Sequence, residues 1–577
     1  MSEQTLLDPL MDKLKIEKDG ANKLQQRKHS DWNDNYELYR LKVKTNRLTQ
    51  RQAICIPLMK ETIKTALSKI DEAPNIDWKE LGGDEDKEIL FQEIWDSGFT
   101  DNKLELVDIL DKKNVLLYGL STKKLNITDT GVKIETLDVY DIVFDPLMKV
   151  GDIETARYIV QQNIFRSVRE VLADKRYTAE GKNKLKIWAE SPAGVTQGEE
   201  NKKAFEDKMQ RLLDMGVNHS DFPLYAGGDR IINLTEHYTT IWNEKKEAWE
   251  RRVIVYADNS VILLDELLVD LIGVDFYPLG MWVEDPETAD IYSDSIADIV
   301  RVPNQIINVW WSQLIENRSL KNFQMHWYSP SKGYTPQTYT PGQGVMLPAP
   351  PGDDINKVIK PVEISGLDDT LPAIAALTAI VERGTGTTAI DKGTTEKGTQ
   401  TLGEIEILVG KSTERALGMA KFYRMAWYEI AWKWEELMEK NAPKILTLYK
   451  TGRSGTIYIK KALAKDWTSE LGYKATVNSS SEQEQNDIST IQKWGFIQKQ
   501  HPDNQVLKTL ALKRELELLD LTPEELKEIE EAEKPKAPAP IMNQPKNPMT
   551  TEPAQQTNPE DEALLKGISS SLNELQV

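Results

Sequence analysis

Side chains able to do acid–base, nucleophilic or metal chemistry are few and scattered in this sequence. The five histidines, His29, His219, His237, His326 and His501, stand far apart, and none falls into an H-E-x-x-H or H-x-E pattern with metal-ligand spacing. Each reads as a surface or packing residue. The single cysteine, Cys55, lies between apolar neighbours in AICIPL and reads as a small buried hydrophobe; no base stands near it in sequence to activate it. Gly410-Lys411-Ser412 copies only the end of a phosphate-binding loop. The full motif needs a glycine five positions before Gly410, where Ile405 stands, and a strand leading into a glycine-rich loop; here the tripeptide sits in a helical pattern. No G-x-S-x-G elbow and no G-x-G-x-x-G fingerprint occurs. The residues imply no catalytic, cofactor or metal site.

The composition fits that picture. The 577 residues are 40% hydrophobic and 28% charged, enough apolar side chains for a large core. At about 150 residues per domain the length allows roughly three or four domains. The net charge of −20 argues against a protein that grips nucleic acid by neutralising phosphates. One cysteine cannot form an intrachain disulfide, and a reducing compartment fits. The N-terminus lacks the basic region and apolar stretch of a signal peptide. No apolar run nears the ~18 residues of a membrane span; the longest, Ala373 to Val381, is about half that.

Several elements can be read from spacing. Trp32, Tyr36, Tyr39 and Val43 share one face of a first helix, and Met59, Ile63, Leu67 and Ile70 one face of a second that begins near Pro57. A helix from Leu104 to Leu110 is expected to lead into a short strand, Val115 to Tyr118. Strands follow in KIETLDVYDIVFDP and ARYIVQQNIF, and Ser167 with Glu170 forms a capping box opening a helix. Residues 176–230 read as a polar insertion with one short helix, Ala204 to Met215. IINLTEHYTTIW, WERRVIVYA and VILLDEL read as an antiparallel meander.

Beyond residue 276 a strand and an acidic turn lead into a helix on which Ile299, Val302, Ile306, Val309 or Trp310, and Leu314 recur at helical spacing, with Pro303 starting or kinking its long part. Residues 323–365, rich in Pro, Gly and Tyr, read as a compact protrusion with one or two strands. A helix over 371–383 is followed by residues 384–403, with five Gly and seven Thr, which read as a mobile loop. A long helix is expected from Glu404 to Lys440, with Leu408, Ala416, Met419, Tyr423, Trp427, Ile430, Trp434 and Leu437 on its stripe, and Gly410 and Gly418 permitting a bend. A strand-rich stretch then reaches residue 480, helical sequence runs over 482–532, and seven prolines mark 534–560 as a disordered linker. Leu564, Leu565, Ile568, Leu572 and Leu575 suit a short amphipathic helix at the end.

This order resembles the portal (head–tail connector) proteins of tailed bacteriophages, especially short-tailed ones. The resemblance is carried by NVLLYG at 114–119, by the strand ending in VYDIVFDP, and by residues 276–310. There Tyr292, Ser293, Ser295, Gln305 and Asn308 match the family's run into its first stem helix, with Ser293 where members often have Gly. TLGEIEILVGKSTERALGMAKFYRMAWYEIAW resembles the long helix after the family's tunnel loop, although Thr401, Leu402, Gly403 and Glu404 match its Thr-Ala-x-Glu opening only partly. EQNDISTIQKWGFI and LDLTPEELKEIEEAE resemble the helical crown and its exit.

The resemblance implies an α+β portal fold with a helical stem, a mixed α/β wing, a small β-containing clip and a helical crown. It maps residues 1–290 and 385–480 to the wing, with a tunnel loop at 384–403 and the long helix at 404–440. Residues 291–322 and 366–384 map to the stem, 323–365 to the clip, 481–532 to the crown, and 533–577 to a disordered tail. It implies a ring homo-oligomer, in the family usually of twelve subunits, at one capsid vertex of the virion, assembled in the host cytoplasm. Double-stranded DNA would pass through it in packaging and ejection. The implied partners are the major capsid and scaffolding proteins, the terminase large subunit and a head–tail adaptor, with no membrane and no cofactor. Lys392, Thr394, Thr395, Lys397 and Thr399 become candidates for transient DNA contact in the tunnel loop. Gln305, Asn308, Trp310 and Trp311 are candidates for stem packing, one tryptophan inward and one towards a neighbour. Tyr328, Tyr334 and Tyr339 are candidates for the clip interface.

An acidic lumen would let a polyanion slide, with the two loop lysines as its few cations; read the other way, they merely keep a loop soluble. Two rival functions stay open on the residues alone: a protein-binding scaffold or adaptor without a DNA role, and a hydrolase whose site carries no readable motif.

Overall fold

Period-two alternation and tight turns between residues 142 and 267 build the largest sheet. Its five strands, β4 (Ile142–Phe144), β5 (Tyr158–Ser167), β6 (Ile231–Asn243), β7 (Ala248–Ala257) and β8 (Val261–Leu267), stand in chain order, each antiparallel to the next. The expected meander is its second half. Asp258 and Asn259 turn β7 into β8 with φ of 52° and 50°, and the Ser260 N–H donates to the Ala257 carbonyl (2.9 Å) to close the turn. The computed structural model describes residues 9–42, 54–70, 75–101, 103–128, 131–213, 230–288, 290–322, 326–328, 354, 359–367, 369–387, 402–441, 445–451 and 457–478. All belong to a compact unit spanning Met1–Phe496. Among the described residues no helix is long and apolar enough to cross a membrane.

Helices cover both faces of this sheet. Helix α1 (Pro9–Tyr39) lies on one, setting Met11 and Leu14 against Ile254 and Tyr256, and Ala21 against Val143, Tyr158 and Val160. On the other, α5 (Val168–Ala173) and α6 (Ala179–Glu190) set Val171 and Leu185 against Ile232, Leu234 and Leu263. The capping box opens α5 as its spacing predicts: the Glu170 N–H donates to Ser167 Oγ (3.2 Å) and the Ser167 N–H to Glu170 Oε2 (2.9 Å).

Two expectations fail in this part of the chain. The insertion holds two helices, α6 and α7 (Pro192–Leu213), instead of one short one. Thr178 caps α6, accepting from the Gly181 N–H (3.1 Å), and Ser191 accepts from Gly194 at the head of α7 (3.0 Å). Caps and a few buried anchors, Leu185 and Phe205, suffice where the apolar stripe is thin. Residues 115–118 are helix, not strand: α4 runs Leu104–Tyr118 and stops at Gly119, φ +83°. All four side chains there are buried, because the last turn of α4 is enclosed on every side, and an all-round apolar run has no helical period to read.

A second sheet, β3–β2–β9, combines β2 (Leu120–Thr128), β3 (Gly131–Leu137) and β9 (Leu279–Val283). Helix α2 (Leu58–Lys69) starts where expected, beside Pro57, which is its N-cap. Two elements between residues 75 and 101 had no reading in the sequence: β1 (Asn75–Glu80) and α3 (Glu85–Asp101). β1 pairs antiparallel with β14 (Tyr473–Asn478), bringing together segments far apart in the chain. β12 (Ile445–Thr451) pairs with β13 (Ile457–Leu463), which leads into the short helix α12 (Ala464–Trp467).

The long helix is α11 (Leu402–Lys440). Its 39 residues span about 58 Å at ~1.5 Å per residue. Tyr423, Trp427, Ile430, Trp434 and Leu437 of the expected stripe are buried; the side chains of Leu408, Ala416 and Met419 lie outside the described residues. Trp434 meets Trp78, Phe91 and Trp95, and Phe91 stacks on Tyr473 with centroids 3.9 Å apart, so α11, α3 and the β1–β14 ribbon share one aromatic core.

Candidate functional site

The residues around 292–312 hold one helix in place and leave its far face bare. The approach to α9 (Ile296–Asn322) is anchored first. Tyr292 is buried edge-on against Trp32, and Ser293 Oγ donates to the Gly119 carbonyl (2.8 Å). A Cβ at Gly119 would lie 2.3 Å from the Ser293 carbonyl oxygen, so the close approach requires glycine. Ser295 then caps the helix: Asp298 N–H donates to Ser295 Oγ (3.2 Å), and the Ser295 N–H returns to Asp298 Oδ2 (2.9 Å). These residues position backbone and do no chemistry.

Glu284 accepts from the Ile296 N–H (3.2 Å) at this same helix start. Desolvation raises its pKa, the Ile296 bond opposes the rise, and Asp298 and Asp285 add to it, leaving the carboxyl at about 8. The fold therefore keeps a proton that an unfolded Glu loses near its ordinary value of 4.5. That contribution is full below 4.5 and is lost as pH rises to about 8. Urea unfolding from pH 5 to 8 is expected to show stability falling with pH, and Glu284→Gln to flatten the slope; an unchanged slope in the variant would refute the assignment.

Along α9 a polar ladder holds the neighbouring chain. Asn304, Asn308 and Ser312, four residues apart, accept from the N–H groups of Met59 (2.9 Å), Ile56 (2.8 Å) and Ile54 (3.3 Å). Asn304 Nδ2 also donates to the Ile56 carbonyl (3.3 Å). This stitches the extended segment 54–57 and the start of α2 to α9. Cys55 is half-buried here with Asn308 Nδ2 3.8 Å from its sulfur; burial pushes the thiol up against that bond. Ile296, Ala297, Val300 and Ile307 point inward on the same side.

The opposite side is apolar and exposed. Ile299, Val302 and Val309 are 46%, 53% and 53% exposed. Ile299, Val302 and Val309 belong to the stripe read from the sequence, so that spacing marks an outward face. Helix α10 (Thr370–Thr385) packs beside α9, close enough that a Cβ at Gly384 would lie 3.1 Å from Ile299 Cγ2. It adds Leu371 and Ile380, both about half exposed. Between Arg301 and Glu316, and from Thr370 to Val381, no side chain is charged. Two paired helices thus present an uncharged apolar surface to solvent, which a protein that stays alone rarely does.

The other candidate residues fall variously. Gln305 is exposed and Asn308 is on the ladder. Trp310 and Trp311 are both half-buried; Trp311 packs against the core. Lys392, Thr394, Thr395, Lys397, Thr399, Tyr334 and Tyr339 lie outside the described residues. Tyr328 sits on β10 (His326–Tyr328), paired antiparallel with β11 (Ile359–Pro361), but its side chain is outside them too. Asn304 and Ser312 escaped the sequence reading, although polar residues at i, i+4 and i+8 were the available signal.

Of the histidines, His237 is buried with Nε2 2.9 Å from Glu17 Oε2; burial pushes its pKa down while Glu17 opposes. His29 Nε2 lies 3.1 Å from Gln25 Oε1. His219 and His501 lie outside the described residues. Among the described residues no group of three or more His, Cys, Asp or Glu side chains is placed to hold a metal. Gly410, Lys411 and Ser412 lie within α11.

Comparison with known proteins gives one family match: the family described as phage SU10 portal protein matches residues 31–570. No curated protein matches. Among solved structures the chain is similar to one described as the neck of an empty GTA particle computed with C6 symmetry, at 11% identity and a TM-score of 0.34, over 80% of this chain and 89% of that one.

Proposed function

The chain belongs to the phage SU10 portal protein family, and on that premise we propose that it forms the ring at one capsid vertex through which double-stranded DNA is packaged and later ejected. The family match over residues 31–570 carries this reading. A portal is a structural component of the virion, a connector between head and tail, and not an enzyme. The bare apolar face of α9 and α10 supports ring formation, since a neighbouring subunit would cover it.

In this reading residues 1–290 and 385–480 are the wing, 291–322 and 366–384 the stem, 323–365 the clip and 481–532 the crown. The stem is then the pair α9 and α10, and the polar ladder ties it to the wing through α2. The clip, with Tyr328, Tyr334 and Tyr339, faces the terminase large subunit during packaging and the head–tail adaptor afterwards. Capsid and scaffolding proteins surround the ring during assembly. Particles assembled without this protein are expected to hold no packaged DNA; particles with normal DNA content would exclude the role.

The tunnel loop, 384–403, offers Lys392 and Lys397 among threonines to passing phosphates. Replacing both lysines with Glu is expected to lower the DNA packaged per particle while rings still form. Unchanged packaging would reduce the pair to loop solubilisers.

A further inference from the structure

Among the described residues, cations gather at one groove of this acidic chain. The outer side of α11 and the edge of β14 enclose an open groove of about 580 Å³, lined by Lys421, Arg424 and Lys474. Met425, Tyr428 and Thr476 complete its walls. On the adjoining strand Lys79 stands directly across from Lys474 in the β1–β14 register, and both side chains are exposed. Like charges facing each other across two strands are destabilising, by a few tenths of a kcal/mol up to ~1. Among the described residues Lys79, Lys421 and Lys474 make no ion pair with a carboxylate. Asp77, opposite Thr476, is the carboxylate on that strand face, so the surface keeps a clear positive excess within a chain of net charge −20.

Fold stability does not account for this arrangement, but an anionic ligand does. Lys421 and Arg424 are one helical turn apart on one wall, and Lys474 is on the other, so cations approach a bound anion from both sides. Tyr428 and Thr476 add neutral hydroxyl donors. Lys, Arg, Tyr and Thr side chains are the donors proteins aim at phosphate oxygens, and such contacts are indifferent to base sequence. We propose that this groove holds the phosphodiester backbone of double-stranded DNA. The assignment rests on the portal reading for the presence of a duplex. The three lining cations, with Lys79 on the adjoining strand, give a weak, salt-sensitive hold, compatible with a chain too acidic to grip DNA along its length.

The test uses the full-length protein and a 30-base-pair duplex of arbitrary sequence, with binding followed by fluorescence anisotropy between 50 and 200 mM salt. Lys421→Gln with Lys474→Gln removes two exposed cations and no core contact. Each lost phosphate contact makes the slope of log K against log salt shallower by ~0.9, so the double variant should be shallower by about 1.8. Its affinity should then drop roughly 12-fold less than that of the unaltered protein across that fourfold salt range. Equal slopes would overturn the proposal. So would a peptide of residues 521–533, the chain's own acidic run, that binds the unaltered protein but not the variant while duplex binding stays the same. Electron microscopy of the same samples separates the two readings: absence of rings overturns the portal assignment, whereas rings with unchanged salt slopes overturn only the groove.

Discussion

Replacing Val302 and Val309 with Asp leaves the subunit folded and stops it assembling, so that sedimentation finds single chains under conditions where the unaltered protein forms rings. Both side chains are 53% exposed in the lone subunit, so neither change opens a cavity. In the proposed ring the same positions would lie against a neighbour. Each substitution removes the gain from covering a valine, roughly 1.5–3 kcal/mol for complete burial, and adds a carboxylate that must lose water without a partner. The uncharged stretch between Arg301 and Glu316 offers no cation on its own helix to pair with it. Every interface of a closed ring carries the same defect, so the effect multiplies. Rings of unaltered mass and number would show that this face is not the contact, and thermal unfolding within a few degrees of the unaltered protein would exclude misfolding as the cause.

Lys123→Met is expected to destabilise the subunit by about 3–5 kcal/mol, and adding Asp111→Leu to restore most of the loss. The Lys123 and Asp111 side chains pair directly and are 1% and 0% exposed. The Lys123 ammonium also sits 4.9 Å from the centre of the Trp427 ring on α11. Beside them Lys112 Nζ pairs with Asp108 Oδ2 at 2.5 Å, and Tyr423 Oη donates to Asp108 Oδ1 at 2.6 Å. Burial pushes the Asp108 carboxyl above the usual carboxylate range, while Lys112 and Tyr423 pull it back. These groups join α4 and β2 to α11. Removing one charge strands its partner without water, whereas removing both leaves an apolar contact of similar volume. Urea denaturation of the single and double variants measures the difference. A double variant as unstable as the single one would show that packing against Trp427, and not the stranded charge, sets the loss.

Local signals were legible in the sequence and long-range ones were not. The Ser167–Glu170 box, the β6–β8 meander and the inner stripe of α11 each depend on residues within a few positions of one another. β1 was invisible because half its definition lies about four hundred residues away: Asn75 pairs with Asn478 and Glu80 with Tyr473. The same pairing brings Lys79 beside Lys474, so the basic groove has no trace in local spacing. Residues 115–118 read as a strand because burial on all sides erased their period. The stripe at Ile299, Val302 and Val309 was visible, but periodicity cannot tell a face packed within a subunit from one awaiting a second chain. The inward side of that helix is marked by Asn304, Asn308 and Ser312, polar residues whose partners are backbone groups of residues 54–59. Ile296, Ala297, Val300 and Ile307 face in beside them, so this helix is apolar on two sides, one covered within the subunit and one exposed. The exposed side is the surface that the proposed ring would cover.

The measurement that bears most directly on this account is a cryo-electron-microscopy map of the purified full-length protein. The account predicts a closed ring with a central hole, in which Val302 and Val309 of each subunit lie within about 4.5 Å of apolar atoms of the next. Separate single chains, or a ring in which these two side chains face solvent, would contradict it.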